Sequence, residues 1–342
     1  MSAPAKRAVY VDPLWAVDAN GMVDDARGTV ERDVFGDRVH VQFGITDGGT
    51  YVREGERLEA LVRGADALVI ARAQITPRLV DVLEPTCKVV VRAGIGFDNL
   101  NPPLLRERGI IGLNIPDFCV DEVSAHTLAM LLGLERRIGS LDRSIKSGRW
   151  DTYEGPGPRR HSHLTLGIVG FGTIGRATAR RAGVFYKNVI AYDPHVLRDL
   201  MAGHNVEKME TLAELVAGSD AIVVHAMLDE STRNLIDEAA LAHLRPGTML
   251  VNTARGGLVK PEAVLAALRD GRLAGYGSDV FTPEDPNANP INKEILKFSN
   301  VLVTPHTAFR SVESEYSQRR RVAEGVLHVL ETGKSPEFGR IC

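Results

Sequence analysis

Three polar side chains stand just past three short apolar runs in the second half of the chain. Arg255 follows Leu250-Val251-Asn252-Thr253, Glu284 follows Ser278-Asp279-Val280-Phe281, and His306 follows Leu302-Val303-Thr304-Pro305. If those runs are strands of one open parallel sheet, the loops past their carboxyl ends open on one edge and the three groups can face one crevice. A guanidinium holds a carboxylate through two parallel hydrogen bonds. An imidazole beside a carboxylate has its pKa raised and carries a proton near neutrality. Together they suit hydride transfer to a 2-keto acid, which needs a cation on the carboxylate and ketone, a proton donor, and a carboxylate that keeps the donor charged. Pattern alone leaves blander roles open. Arg255 before Gly256-Gly257 can cap a turn, Glu284 can sit solvated in its Pro/Asp loop, and His306 after a proline can be a half-buried histidine.

A second feature names a hydride source. Leu166-Gly167-Ile168-Val169-Gly170-Phe171-Gly172-Thr173-Ile174-Gly175-Arg176 reads as an apolar strand, a Gly-x-Gly-x-x-Gly turn and the start of a helix. Gly170 permits the tight turn, Gly172 lets a pyrophosphate approach the backbone, and Gly175 lets the helix pack on its strand, with Thr173 and Ile174 opening the helix. Asp193 ends the next apolar run, 18 residues after Gly175. Its carboxylate is placed to accept both ribose hydroxyls and to repel a 2′-phosphate, which favours NAD over NADP.

These groups need a scaffold, and the chain supplies strand-like runs. Residues 8–11, 39–43, 67–71, 88–92 and 110–114 form a first series, and residues 165–169, 189–192, 221–225, 249–252, 275–280 and 301–304 a second. Helix-period segments lie between most of them. Strands apolar on both faces, alternating with helices, indicate an α/β protein with two doubly wound parallel-sheet domains. Residues 122–146 read as one long helix, followed by the breakers Gly148 and Gly155-Pro156-Gly157-Pro158. A last helix over residues 311–332 has no strand after it, which permits its return to the first domain.

Composition agrees with that scaffold. At roughly 150 residues per domain, 342 residues make two domains. With 44% hydrophobic and 25% charged residues the chain can bury a core, so disorder is excluded as its main state. A net charge of −3 gives no broad field for nucleic acid or an anionic membrane, and neither is expected as a partner. Gln318-Arg319-Arg320-Arg321 reads as a solvated helix face. No apolar stretch is long enough to span a bilayer, and residues 1–6 lack the apolar run of a secretory leader. Cys87, Cys119 and Cys342 fit neither a disulfide framework nor a metal cluster, so no metal is expected and the reducing cytoplasm is the expected compartment.

On these residues the chain resembles the D-isomer-specific 2-hydroxyacid dehydrogenases. The blocks that carry the likeness are Arg92-Ala93-Gly94-Ile95-Gly96-Phe97-Asp98-Asn99, the glycine turn with Asp193, Val251-Asn252-Thr253-Ala254-Arg255-Gly256-Gly257-Leu258-Val259, Asp279-Val280-Phe281 through Glu284, and Thr304-Pro305-His306. The resemblance implies Arg255, Glu284 and His306 as the catalytic trio. It also implies substrate carboxylate contacts from the backbone of Gly94, Ile95 and Gly96, and Asp279 near the nicotinamide carboxamide. His225, Thr253 and Ala254 join the cofactor contacts, although Met227 stands where proline is common. The implied fold is a Rossmann cofactor domain, residues 121–308, inserted into a flavodoxin-like substrate domain, residues 1–120 plus 309–342. Homodimers are usual in the family. Arg92 and Phe309 are similar to positions of the corepressor branch of the family, which keeps an NAD-sensing binding protein as an alternative. Arg92, Arg72 and the Arg159-Arg160-His161 run also suggest a substrate with a second anion, phosphate, phosphonate or carboxylate, although each can equally be a surface or salt-bridged residue.

Overall fold

Strands without a polar face need helices on both sides, and two parallel sheets form in this chain. A computed structural model describes residues 6–12, 15–18 and 20–342. Residues 1–5, part of the segment read above as lacking a leader's apolar run, lie outside the described residues.

The first sheet holds β1 (Lys6–Tyr10), β2 (Val39–Phe43), β5 (Ala67–Ile70), β6 (Val89–Arg92) and β7 (Ile111–Asn114). Its order is β2-β1-β5-β6-β7 and every pairing is parallel, a doubly wound arrangement that reverses beside β1. Between β2 and β5 lies a small antiparallel pair, β3 (Thr46–Asp47) and β4 (Thr50–Tyr51). The second sheet holds β8 (Thr165–Val169), β9 (Asn188–Tyr192), β10 (Glu207–Lys208), β11 (Ala221–Val224), β12 (Thr248–Asn252), β13 (Leu273–Ser278) and β14 (Val301–Val303). Its order is β10-β9-β8-β11-β12-β13-β14, again all parallel. Alternation along its strands feeds two separate cores. Ile222, Val224 and Leu250 join one cluster, while Val223, Val251 and Ile168 join the other.

The chain divides into two compact units. One comprises the described residues up to Phe118 together with Ser311–Cys342, and the other is Cys119–Arg310. In the first unit the Val312–Thr332 helix, capped by the Ser311 hydroxyl on the Ser314 amide, buries Val322, Val326 and Val329. Gln318 on the same helix donates to the Ala93 carbonyl past β6. The tail then runs antiparallel along β7, with the Asn114 amide donating to Gly339 and the Ile341 amide to Gly112. That contact gives β7 a neighbour at the sheet edge.

Several features differ from the reading of the sequence. Residues 318–321 are not a solvated helix face: Gln318 is buried, and the Arg319 guanidinium pairs with buried Glu31 at 2.7 Å. The second sheet has a seventh strand, β10, whose two residues are too short to show a period. The long helix is two, Val120–Glu135 and Ile138–Lys146, because Arg137 takes a left-handed conformation, φ 58°, and turns its guanidinium onto the Glu154 carbonyl. Cys119, Val120, Phe309 and Arg310 belong with the second unit.

Candidate active site

β8 runs directly into the glycine turn. Gly170 has φ +90°, and a Cβ there would lie 2.5 Å from the Ala226 nitrogen, so only glycine fits between this turn and the end of β11. A Cβ on Gly175 would lie 2.3 Å from the Gly170 carbonyl oxygen. Gly172 is different: its missing Cβ faces open space, the room a pyrophosphate needs. Thr173 and Ile174 begin the Thr173–Ala182 helix, whose first turn carries no acidic residue to oppose an anion at its positive end. Just past β9, Asp193 accepts the Phe171 amide on Oδ2 at 2.8 Å and the His195 amide on Oδ1 at 2.9 Å. Each oxygen keeps acceptor capacity, so turn, helix end and carboxylate fit a dinucleotide with two free ribose hydroxyls.

His225, at the end of β11, is within 3.0 Å of the Thr178 hydroxyl through Nε2, and so ties that strand to the glycine-turn helix. The residue as a whole is part-buried, but neighbouring atoms crowd water away from its ring, and this desolvation lowers its pKa to about 4. It is therefore a neutral imidazole at physiological pH.

The next three strand ends carry the remaining candidate side chains. At β12, fully buried Asn252 accepts the Ala254 amide at 3.0 Å and donates to the Arg255 carbonyl at 2.8 Å. This clasp turns the chain so that Arg255 caps the short Gly256–Leu258 helix, with its guanidinium donating to the Ala254 carbonyl at 2.9 Å. Thr253 shares a 2.7 Å hydroxyl hydrogen bond with Thr127 on the Val120–Glu135 helix. At β13, Asp279 is 1% exposed, and its oxygens accept the Thr304 hydroxyl at 2.6 Å and the Thr307 and Ala308 amides at 2.9 Å each. Its carbonyl accepts the His306 amide at 2.7 Å. His306 is thereby held past β14 at φ +56°, a left-handed backbone unusual for a residue with a side chain.

His306 Nδ1 lies 2.8 Å from Glu284 Oε2, with side chains 22% and 46% exposed. The carboxylate accepts a hydrogen bond from Nδ1–H, which leaves Nε2 as the ring nitrogen able to exchange a proton. Phe309 stands edge-on to the imidazole, ring centres 6.4 Å apart. β12, β13 and β14 are adjacent and parallel, so Arg255, Glu284 and His306 follow carboxyl ends on one edge of the sheet, the edge of the glycine turn.

Other candidates sit elsewhere. In the first unit Arg92 ends β6 and donates to the Ala93 carbonyl at 3.2 Å, filling the space where Gly94 would carry a Cβ. The Gly94 amide donates to the Arg92 carbonyl, and the Ile95 carbonyl accepts the Asn114 side chain. Gly96 follows in the same turn. Arg72 is exposed on a turn whose three successive amides, of Ala71, Arg72 and Ala73, all donate to Asp12. Arg159 and His161 do not join the edge that carries the glycine turn. Arg159 pairs with Asp220 at 2.7 Å and His161 with Glu135 at 2.7 Å, and Asp220 precedes β11 on the amino-terminal edge of the sheet. The loop after the 138–146 helix carries both residues there, which corrects their reading as anion contacts. Reading the sequence also missed His126, which approaches Thr304, along with Thr127 and Thr178. These lie on helix faces where no strand end marks them.

Among the described residues no group of three or more His, Cys, Asp or Glu is placed to hold a metal, and no helix is long and apolar enough to cross a membrane.

Residues 128–308 match the family model described as D-isomer specific 2-hydroxyacid dehydrogenase, NAD binding domain. The chain is similar to the D-3-phosphoglycerate dehydrogenase of Methanocaldococcus jannaschii, 34% identical over 80% of this chain and 52% of that protein. It thus spans about half the length of that relative. It is also similar to the hydroxypyruvate reductase of Thermotoga maritima, 33% identical over 77% of this chain and 84% of that protein. The fold resembles the crystal structure of D-lactate dehydrogenase from Aquifex aeolicus complexed with NAD and lactic acid, with TM-score 0.82, 24% identity and 96% of each chain covered. With more than half its length inside that family model, the chain belongs to the D-isomer specific 2-hydroxyacid dehydrogenases, and NAD is the cofactor of its second unit.

Proposed function

We propose that the chain interconverts a small D-2-hydroxy acid and its 2-keto acid. The observation that carries this reading is the His306–Glu284 pair on its left-handed turn, at the sheet edge of the glycine turn. When bound, the reduced cofactor supplies the hydride. Arg255 binds the substrate carboxylate and polarises the ketone. His306 gives its Nε2 proton to the alkoxide oxygen as it forms, and in the opposite direction takes the hydroxyl proton. Glu284 stabilises the charged imidazole through Nδ1. In the first unit, the Gly94 amide is spent on the Arg92 carbonyl.

NADH consumption across pyruvate-like, aryl, hydroxypyruvate, phosphorylated and phosphonylated keto acids tests this. His306→Gln should lower kcat by roughly 10²–10⁴ on the acid that works. Tight NADH binding with no turnover on any acid would refute the proposal and favour the cofactor-sensing alternative.

A substrate with a second anion, phosphate or phosphonate, is favoured by exposed Arg72 on its Asp12-pinned turn. The phosphoglycerate dehydrogenase relatives point the same way. That substrate would show as a preference for the doubly charged acid that Arg72→Ala or Arg92→Ala removes.

A homodimer is the proposed assembly. Trp150 and Tyr153 are 85% and 90% exposed, and Ile138 and Ile145 add exposed apolar surface on the preceding helix. The cytoplasm is the proposed compartment, since Cys87, Cys119 and Cys342 are all free thiols.

A further inference from the structure

Behind the His306 turn runs a line of side chains that the chemistry above does not use. His126, on the Val120–Glu135 helix, has Nε2 2.9 Å from the Thr304 hydroxyl, and that hydroxyl is 2.6 Å from Asp279 Oδ1. The direction of each proton follows from what each group can do. Asp279 receives amides on both oxygens, from Thr307 and Ala308, and so acts as an acceptor on both sides. The Thr304 hydroxyl owns one proton, which goes to Asp279. Its oxygen is then an acceptor towards His126, which must carry its proton on Nε2. Every proton in the row points towards the Asp279 carboxylate, and such chains polarise one another.

Asp279 gathers the backbone that shapes the His306 turn. Its carbonyl takes the His306 amide, its carboxylate takes the next two amides, and the Thr304 hydroxyl fixes the carboxylate's rotation. A left-handed residue with a side chain persists only where its surroundings over-determine it. We propose that His126 and Thr304 are positioning residues that act through Asp279 to hold the His306 turn in its reactive conformation. His126 aims the Thr304 hydroxyl at the carboxylate, and the carboxylate clamps the turn. This inference rests on the reading of His306 as the proton donor.

Three variants separate the roles. Thr304→Val keeps the side-chain shape and removes the hydroxyl. His126→Leu removes the donor. His126→Gln places an amide N–H close to the original Nε2. The first readout needs neither cofactor nor turnover: amide hydrogen exchange at Thr307 and Ala308 in the free protein. It should quicken roughly tenfold in Thr304→Val and His126→Leu, the size of one lost hydrogen bond, and return towards the original in His126→Gln. The second is steady-state kinetics, where kcat should fall roughly tenfold with the KM for the keto acid little changed.

Unchanged exchange and kcat in Thr304→Val and His126→Leu would overturn the inference. So would protection lost evenly across β8, β11 and β12 in all three variants, which marks a packing role. If the unaltered protein turns over no acid, the reading of His306 fails, while the exchange arm still decides whether the clamp exists.

Discussion

Acid should loosen the second unit through His225, and the size of the effect can be worked out. An unfolded histidine titrates near 6.5, whereas desolvation holds folded His225 at about 4. The folded chain therefore binds fewer protons than the unfolded chain between these values. The stability this gives is fully present above pH 6.5 and is lost as the pH falls towards 4. The full gap of roughly 2.5 units corresponds to about 3 kcal/mol. Moving from pH 7 to pH 5 removes about 2 kcal/mol of it, a ceiling because the residue keeps some accessible surface. Urea unfolding at the two pH values, with His225→Gln beside the original, isolates this group because every other titration is common to both. The original chain should lose about 2 kcal/mol more than the variant. Parallel losses in the two proteins would refute the assignment of a neutral, water-excluded imidazole.

Four further outcomes are expected. Gly172→Ala should leave the melting temperature within a few degrees of the original yet weaken NADH binding, read by ligand fluorescence, because the added methyl occupies only the open space over the turn. Gly170→Ala should instead cost on the order of 3 kcal/mol of stability, from a left-handed backbone and a collision with Ala226. Burial alone would raise the pKa of Asp12, but hydrogen bonds from Arg53 and the Ala71 and Arg72 amides outweigh it and hold the carboxyl below its ordinary range. Its stabilisation is present above pH 3.9 or thereabouts and is lost as the pH falls through the lower folded value. Asp12→Asn should therefore flatten the acid limb of a stability–pH curve and cost on the order of 2 kcal/mol at neutrality. Glu284→Gln should lower kcat for keto-acid reduction by roughly tenfold or more, since the His306 imidazole loses the carboxylate that holds its Nδ1. An unchanged kcat would separate Glu284 from proton transfer.

Much of the scaffold was legible because its signals are contiguous. A strand apolar on both faces must lie inside a covered parallel sheet, and Gly170, Gly172 and Gly175 announce a turn by residue type alone. The positions of Arg255, Glu284 and His306 could be read for the same reason, each closing a recognisable run. What stayed hidden depends on partners distant in sequence. Arg137 breaks a helix without being glycine or proline, and its guanidinium meets a carbonyl on a separate loop. His126 reaches Thr304 across 178 positions of chain. The role of Arg159 stayed open for the same reason: a basic run says nothing about which end of a sheet its loop visits, and Asp220 decides it.

The split of the first unit has a consequence for biosynthesis. A ribosome making this chain completes residues 119–310 while their host still lacks its closing segment. Until Val322, Val326 and Val329 emerge, the β5 and β6 face waits without its last covering helix, and β7 waits for the tail. A message truncated after Arg310 would yield a finished cofactor unit tethered to an open, adhesive sheet.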